Sequence, residues 1–417
     1  MVRRHSVAGL LSLALLLNGC TFPWTASHPT PAPTPPPTVE TPPPPTVGAP
    51  PSVVPTPDPA PTPTPTPTPG NSAWIDASAS PFPVRGIIEG FYGAPWSQDQ
   101  RLAAFDFMRR VGMNTYVYAP KDDPYQRAEW RNRYPEAELG RFRGLLGRAG
   151  QDGINFVYSI SPGLDITYSG GADRQALAAK LDQLRSLGIH TVMLSVDDVV
   201  EKLNAADTAV YGTNFALAQA EMVNWLYAHE RASDPQFVLW MAESHYWGTK
   251  SDPYLSTLGD KLDPAVKLIW TGPDVLSTTI TAADADTFAA MIKRKPIIWD
   301  NYPVNDYTYV IKKKPRLIMG PVRGRGTNLA AHASGYLINP MIQEEASLLP
   351  MYTLAAYMAR PAGYDPEAAW RAAASHLTNN PQAAAVLFEF ATIAQISAVT
   401  DHEAPALTQS IAAYLNG

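Results

Sequence analysis

Two adjacent aspartates, Asp197 and Asp198, close the run HTVMLSVDDV (190–199). The apolar and β-branched residues before them read as one buried strand of a parallel sheet, and such strands keep carboxylates only where they emerge at their carboxyl ends. In α/β sheets and barrels, that end is where ligands sit. Two carboxylates this close raise each other's proton affinity and burial raises it further, so one is expected to hold a proton near neutrality while the other is charged. That division suits acid work by one group and anion work by the other. The competing role, in which one aspartate caps the next helix and the other is solvated, involves no chemistry. The rest of the chain decides between the two.

The elements that must position this pair form a repeating series. Short apolar runs at 84–88, 114–118, 155–160, 191–195, 237–241, 267–270, 296–299 and 334–338 alternate with amphipathic stretches at 97–111, 138–149, 173–187, 214–229 and 282–294. Eight strand units in roughly 260 residues have the size and rhythm of an α/β chain folded as a (β/α)8 TIM barrel. A run at 316–319 is either a further strand or a piece preceding the eighth unit. The strand ends carry Glu89-Gly90-Phe91-Tyr92, Lys121-Asp122-Asp123, Asp197-Asp198, Glu243-Ser244-His245-Tyr246-Trp247, Asp300-Asn301-Tyr302 and Asn339. Carboxylates, amides and aromatic faces at one rim suit a sugar, whose hydroxyls need donors and acceptors and whose C–H face needs an apolar platform.

Other classes fit less well. The formal net charge of −6 is not that of a nucleic-acid binder. There is no HExxH or other compact ligand spacing, so no metal and no cofactor are expected, and no G-x-S-x-G elbow, P-loop or dinucleotide fingerprint is present. A single cysteine among 417 residues leaves no intramolecular disulfide, so stability must come from core packing.

The amino terminus bears on location. Arg3, Arg4 and His5 precede VAGLLSLALLLNG, an apolar run too short to span a bilayer, which stops at Cys20. LNGC (17–20) resembles a bacterial lipoprotein box. The expectation is a signal peptide over 1–19, a lipidated Cys20, and a protein held at the bacterial cell surface or on a periplasm-facing membrane. Residues 21–70 hold half of the chain's 42 prolines, so 20–80 is expected to be a disordered, extended stalk. The barrel is expected over 81–343 and a small all-α appendage over 344–417. In that appendage 344–360 reads as one helix, and Asp365-Pro366 and Asn380-Pro381 read as the caps and first turns of two more.

RGIIEGFYGAPW (85–96), YAPKDDPYQRAEWR (118–131), LSVDDV (194–199), WTGPDV (270–275) and WDNYPVNDY (299–307) together resemble glycoside hydrolase family 84. This is the family of β-N-acetylglucosaminidases that includes O-GlcNAcases and bacterial enzymes long called hyaluronidases. The resemblance implies a retaining exo-β-N-acetylglucosaminidase in which the substrate's own 2-acetamido oxygen attacks the anomeric carbon to give an oxazoline. It implies Asp197 as the carboxylate that orients the acetamido group and Asp198 as general acid/base. It further implies sugar contacts from Gly86 through its carbonyl, from Lys121, and from Tyr246 to the acetamido oxygen, although the surrounding AESHYWG departs from the family's usual wording. Trp299 would line the acetyl pocket with Asn301 as an adjacent polar contact, Asp306 would grip distal hydroxyls and close the pocket on a terminal sugar, and Asn339 would add a last amide contact. The expected partners are glycans or glycoproteins ending in β-linked N-acetylglucosamine, and the membrane through the lipid anchor; nucleic acid is not among them. The alternatives are a cell-surface glycan-binding lipoprotein without turnover and a hyaluronidase-like activity on polymers.

Overall fold

The structure is a computed structural model that describes residues 72–314, 316–378 and 380–395. The signal segment, Cys20 and the Pro/Thr-rich stretch 21–70 lie outside the described residues, whereas 72–80, expected to belong to the stalk, pack on the folded region, with the Trp74 amide donating to the Arg110 carbonyl at 2.7 Å and the Ser80 hydroxyl to the Met358 carbonyl at 2.7 Å. Eight strands, β1 (Arg85–Glu89), β2 (Thr115–Tyr118), β3 (Asn155–Ile160), β4 (Thr191–Ser195), β5 (Val238–Ala242), β6 (Lys267–Trp270), β7 (Ile297–Asp300) and β8 (Gly335–Ile338), close into a barrel in sequence order. Every pairing is parallel, including β1 with β8. The TIM-barrel expectation therefore holds, and strands β3, β4 and β6 span the expected residues.

The connecting helices are α1 (Gln98–Arg110), α2 (Glu136–Gln151), α3 (Gly171–Arg185), α4 (Ala205–Tyr211), α5 (Phe215–Ser233), α6 (Pro253–Lys261) and α7 (Ala282–Ile292). Local chemistry starts them. Ser97 and Gln100 form a reciprocal capping box at α1, and Thr281 and Asp284 do the same at α7. The short helices α4 and α6 were not legible in the pattern. Gly259 sits inside α6 for a tertiary reason, since a Cβ there would sit 2.2 Å from the Met291 carbonyl oxygen at the end of α7. The run 316–319 forms no strand. After the barrel come α8 (Glu344–Ala359), α9 (Pro366–Leu377) and α10 (Pro381–Ile393), the last two opened by Asp365 and Asn380 caps as their Asx-Pro pairs predict. No helix among the described residues is long and apolar enough to cross a membrane.

Alternation along the strands sorts the side chains into two sets. Ile88, Val117, Val157, Met193, Trp240 and Ile269 point inward and pack on one another. The opposite set, such as Ile87, Tyr116, Val192 and Ile298, packs against the helices. Two of the rim acids belong to this outer set. Glu89 is wholly buried and takes a bidentate pair from Arg101 at 2.8 Å together with the Tyr116 hydroxyl. Asp300 is held in the same way by Arg325 at 2.7–2.8 Å and by Tyr336. Both acids tie strands to surrounding elements and face away from the barrel mouth.

Candidate active site

The inward series continues past the strand ends and builds the site. Gly90 follows Ile88, Lys121 follows Val117 and Ala119, Asp197 follows Met193 and Ser195, and Asn339 follows Leu337, each at the spacing of two that faces the barrel axis. With Trp299 and Asn301 of β7 and its loop, they line a cavity of about 310 Å³ at the carboxyl ends of the strands. That volume lies at the small end of ligand cavities, roughly 300–1,000 Å³.

Strict alternation would turn Asp198 away from this cavity. Instead its φ of 54° breaks the series, and Asp198 lines the cavity beside Asp197. Aspartate tolerates the left-handed region better than most residues, but such a backbone persists only where its surroundings hold it. They do so from two sides. The Arg127 guanidinium donates to the Tyr92 hydroxyl at 2.9 Å and to the Asp198 carbonyl at 3.4 Å. Tyr92 and Tyr246 each donate a hydroxyl to one Asp198 oxygen, both at 2.9 Å. Burial, and then the charge of Asp198, push both phenols well above their usual range, so they remain protonated donors.

Asp197 differs in its partners. Its Oδ2 accepts from Lys121 Nζ at 2.5 Å in a pair whose side chains are almost wholly buried, while its Oδ1 is buried without a partner. Trp299 Nε1 is likewise a buried donor without one. Native proteins rarely bury polar atoms unpaired, and a role in binding or catalysis is one of the reasons for an exception. Here an acceptor and a donor are left over in the same cavity.

The remaining expected residues are distributed as follows. Asn339 donates to Asn301 Oδ1 at 2.8 Å and accepts from the Gly90 amide at 3.3 Å, while Asn301 donates to the Val275 carbonyl. Asp306 accepts from the Tyr92 amide at 3.0 Å and the Tyr307 amide at 2.6 Å, and burial pushes its carboxyl up. Tyr246 is in the cavity, but its hydroxyl engages Asp198.

Gly86 requires a correction. It lies near the start of β1, paired with Thr115 and Leu337, and does not line the cavity. A Cβ there would fall 1.7 Å from the Thr115 carbonyl oxygen, so this glycine serves close strand approach. Gly90 is the glycine at the site, and a Cβ on it would stand 2.3 Å from the Trp299 ring. Gly90→Ala is therefore expected to push that ring aside and to cost about 1–3 kcal/mol by overpacking. A lowered urea midpoint would register the cost; an unchanged midpoint with Trp299 undisplaced in a crystal structure would refute it. Tyr92 and Arg127 were also not singled out, although both lie inside motifs quoted above. Their roles depend on contacts with Asp198, from which they are separated by 106 and 71 residues.

The chain is similar in sequence and in fold to known proteins. A family model described as beta-N-acetylglucosaminidase matches residues 85–392. The protein O-GlcNAcases of Rattus norvegicus and Mus musculus are each 38% identical to the chain over 278 residues, which make up 65% of the chain but 29% of either relative. The chain thus spans less than a third of the length of these curated relatives. Among solved structures, a mutant of the O-GlcNAc hydrolase of Thermobaculum terrenum superposes with a TM-score of 0.76 at 35% identity, covering 81% of this chain and 72% of that one.

Proposed function

This chain belongs to the beta-N-acetylglucosaminidase family, and from that membership we propose that it is a retaining exo-β-N-acetylglucosaminidase of the O-GlcNAcase type, acting by substrate-assisted catalysis. The observation that carries the mechanism is the pair at one strand end, Asp197 with a buried, unpartnered oxygen and Asp198 turned beside it. Ordinary retaining glycosidases straddle the sugar with two carboxyls about 5–5.5 Å apart, and substrate-assisted enzymes are the recognised exception. Neighbouring residues from one strand suit adjacent atoms of the substrate better than opposite faces of its ring.

In this reading Asp197 Oδ1 accepts the acetamido N–H while Lys121 holds the other oxygen. The acetamido oxygen attacks the anomeric carbon, and the bond to the departing oxygen breaks as Asp198 delivers a proton to it. As positive charge grows on the amide nitrogen, the carboxylate of Asp197 stabilises charge that is absent from the ground state. Asp198 then takes a proton from the water that opens the oxazoline, which restores the original anomeric configuration. In the same reading the Tyr246 hydroxyl exchanges its hydrogen bond to Asp198 for one to the acetamido oxygen, and Trp299 walls the acetyl group. Asp306, Asn301 and Asn339 supply acceptors and donors for ring hydroxyls. We also propose that Cys20 carries the lipid that keeps the protein at a membrane, on the strength of the LNGC segment alone.

The direct test is incubation of the purified protein with an aryl β-N-acetylglucosaminide, following released sugar by proton NMR. The β-anomer is expected to appear first. An α-anomer as first product would exclude retention, and binding without release would support the glycan-binding alternative.

A further inference from the structure

The loop after β5 touches the loop that carries the two aspartates at three successive residues. Ser244 Oγ donates to the Val196 carbonyl at 2.8 Å, and Tyr246 donates to Asp198 as described. Between them, His245 has Nε2 2.6 Å from Glu201 Oε1 and Nδ1 2.6 Å from Asp252 Oδ2. Asp252 is fixed, because its other oxygen caps α6 through the Tyr254 and Leu255 amides. Glu201 is the looser partner, its side chain 45% exposed, in the segment between Asp198 and α4.

A carboxylate only accepts hydrogen bonds, and a neutral imidazole has a single N–H to give. Two carboxylates, one on each ring nitrogen, are satisfied together only by the imidazolium. The Tyr254 ring lies 4.3 Å away between centroids and adds an electron-rich neighbour to the same cation. We propose that His245, as an imidazolium bridging Asp252 and Glu201, is a positioning residue that anchors the loop of Asp197 and Asp198 to the rigid start of α6 and so helps hold Asp198 in its left-handed backbone. This rests on the hydrolase reading above, and it adds a pH dependence that the aspartates alone do not supply.

The titratable and charged groups facing the imidazole are Asp252 and Tyr254 of α6 and Glu201 of the aspartate loop. Burial is the largest single influence and lowers its pKa, but the hydrogen bonds and charges of Asp252 and Glu201 together outweigh it, with a net rise above the ordinary 6.5. A raised value means the clamp is fully present below the unfolded pKa near 6.5 and is lost as pH climbs through the higher folded value. Loss of the proton leaves one N–H for two acceptors. The link to the exposed Glu201 is then the one expected to open, and the aspartate loop is freed on that side.

The experiment follows imidazole resonances by NMR across pH in the unsubstituted protein, with His245→Gln to assign the signal, alongside pH profiles of kcat and KM on an aryl N-acetylglucosaminide. Glu201→Gln keeps the shape of the partner and removes its charge. It is expected to move the His245 midpoint and the alkaline limb of kcat to lower pH together. His245→Gln is expected to lower kcat about tenfold with a smaller change in KM, because the sugar contacts lie on other residues. A midpoint at or below 6.5, or a kcat profile unmoved by both substitutions in an active protein, would overturn the positioning role while leaving the hydrolase reading intact. Absence of turnover in the unsubstituted protein would instead overturn the hydrolase reading, and the positioning role of His245 in it.

Discussion

Asp198→Ala is expected to lower kcat by about 10²- to 10⁴-fold for glycosides with poor, alkoxide-like leaving groups, the range supplied by general acid catalysis, and to affect good phenolate leaving groups far less. The difference arises because a leaving oxygen of low basicity departs without a proton, whereas an alkoxide does not. Asp198 is the cavity carboxylate with both oxygens on neutral phenol donors, Tyr92 and Tyr246, and it is not held by an ammonium group. A leaving-group series on the variant gives the answer as a Brønsted slope much steeper than that of the unsubstituted protein. A slope unchanged by the substitution, or a steepening that follows Asp197→Ala instead, would assign the acid elsewhere.

Asp197→Ala is expected to slow good and poor leaving groups alike, by on the order of 10²–10³-fold, the usual cost of deleting one preorganised electrostatic contact to the transition state. Its ion pair with Lys121 and its buried, unpartnered oxygen point to a fixed charge awaiting an amide N–H. The same argument extends to the substrate. Progressive fluorination of the acetyl methyl should weaken the acetamido oxygen as a nucleophile and lower the rate steeply in the unsubstituted protein, although the sugar still fits. A rate indifferent to fluorination, together with covalent trapping of an enzyme carboxylate by a 2-fluoro sugar, would establish an ordinary double displacement and end the substrate-assisted reading. The N-acetylglucosaminidase activity would survive that outcome.

Much of this molecule was legible before any coordinates. Strand positions were readable because barrel strands are buried on both faces and stand out as short apolar runs between amphipathic stretches. Caps such as Asp365 and Asn380 were readable because they act within a few residues of themselves. The aspartate pair stood out at the end of an apolar run, but capping could also explain it, and the groups at the other strand ends and the quoted motifs were needed to decide between the two. The run 316–319 misled because its apolar residues Leu317, Ile318 and Met319 pack against the core without joining the sheet. Gly86 and Gly90 could not be told apart by type, since both are glycines in one motif and differ only in what a Cβ would strike, Thr115 or Trp299.

By itself, then, the sequence determined the barrel, the order of its strands and the position of the aspartate pair at a strand end, because periodicity and local capping are short-range properties of the chain. Only the tertiary structure decided which rim groups serve the site. Glu89 and Asp300 carry the same carboxylate chemistry as Asp197, yet alternation turns them toward Arg101 and Arg325 on the outer side of the barrel. Asp198 faces the cavity because its backbone leaves the strand geometry, held by Tyr92, Arg127 and Tyr246. Those contacts join residues tens of positions apart, and no local pattern records them; they exist because closure of the barrel brings eight strand ends to one rim.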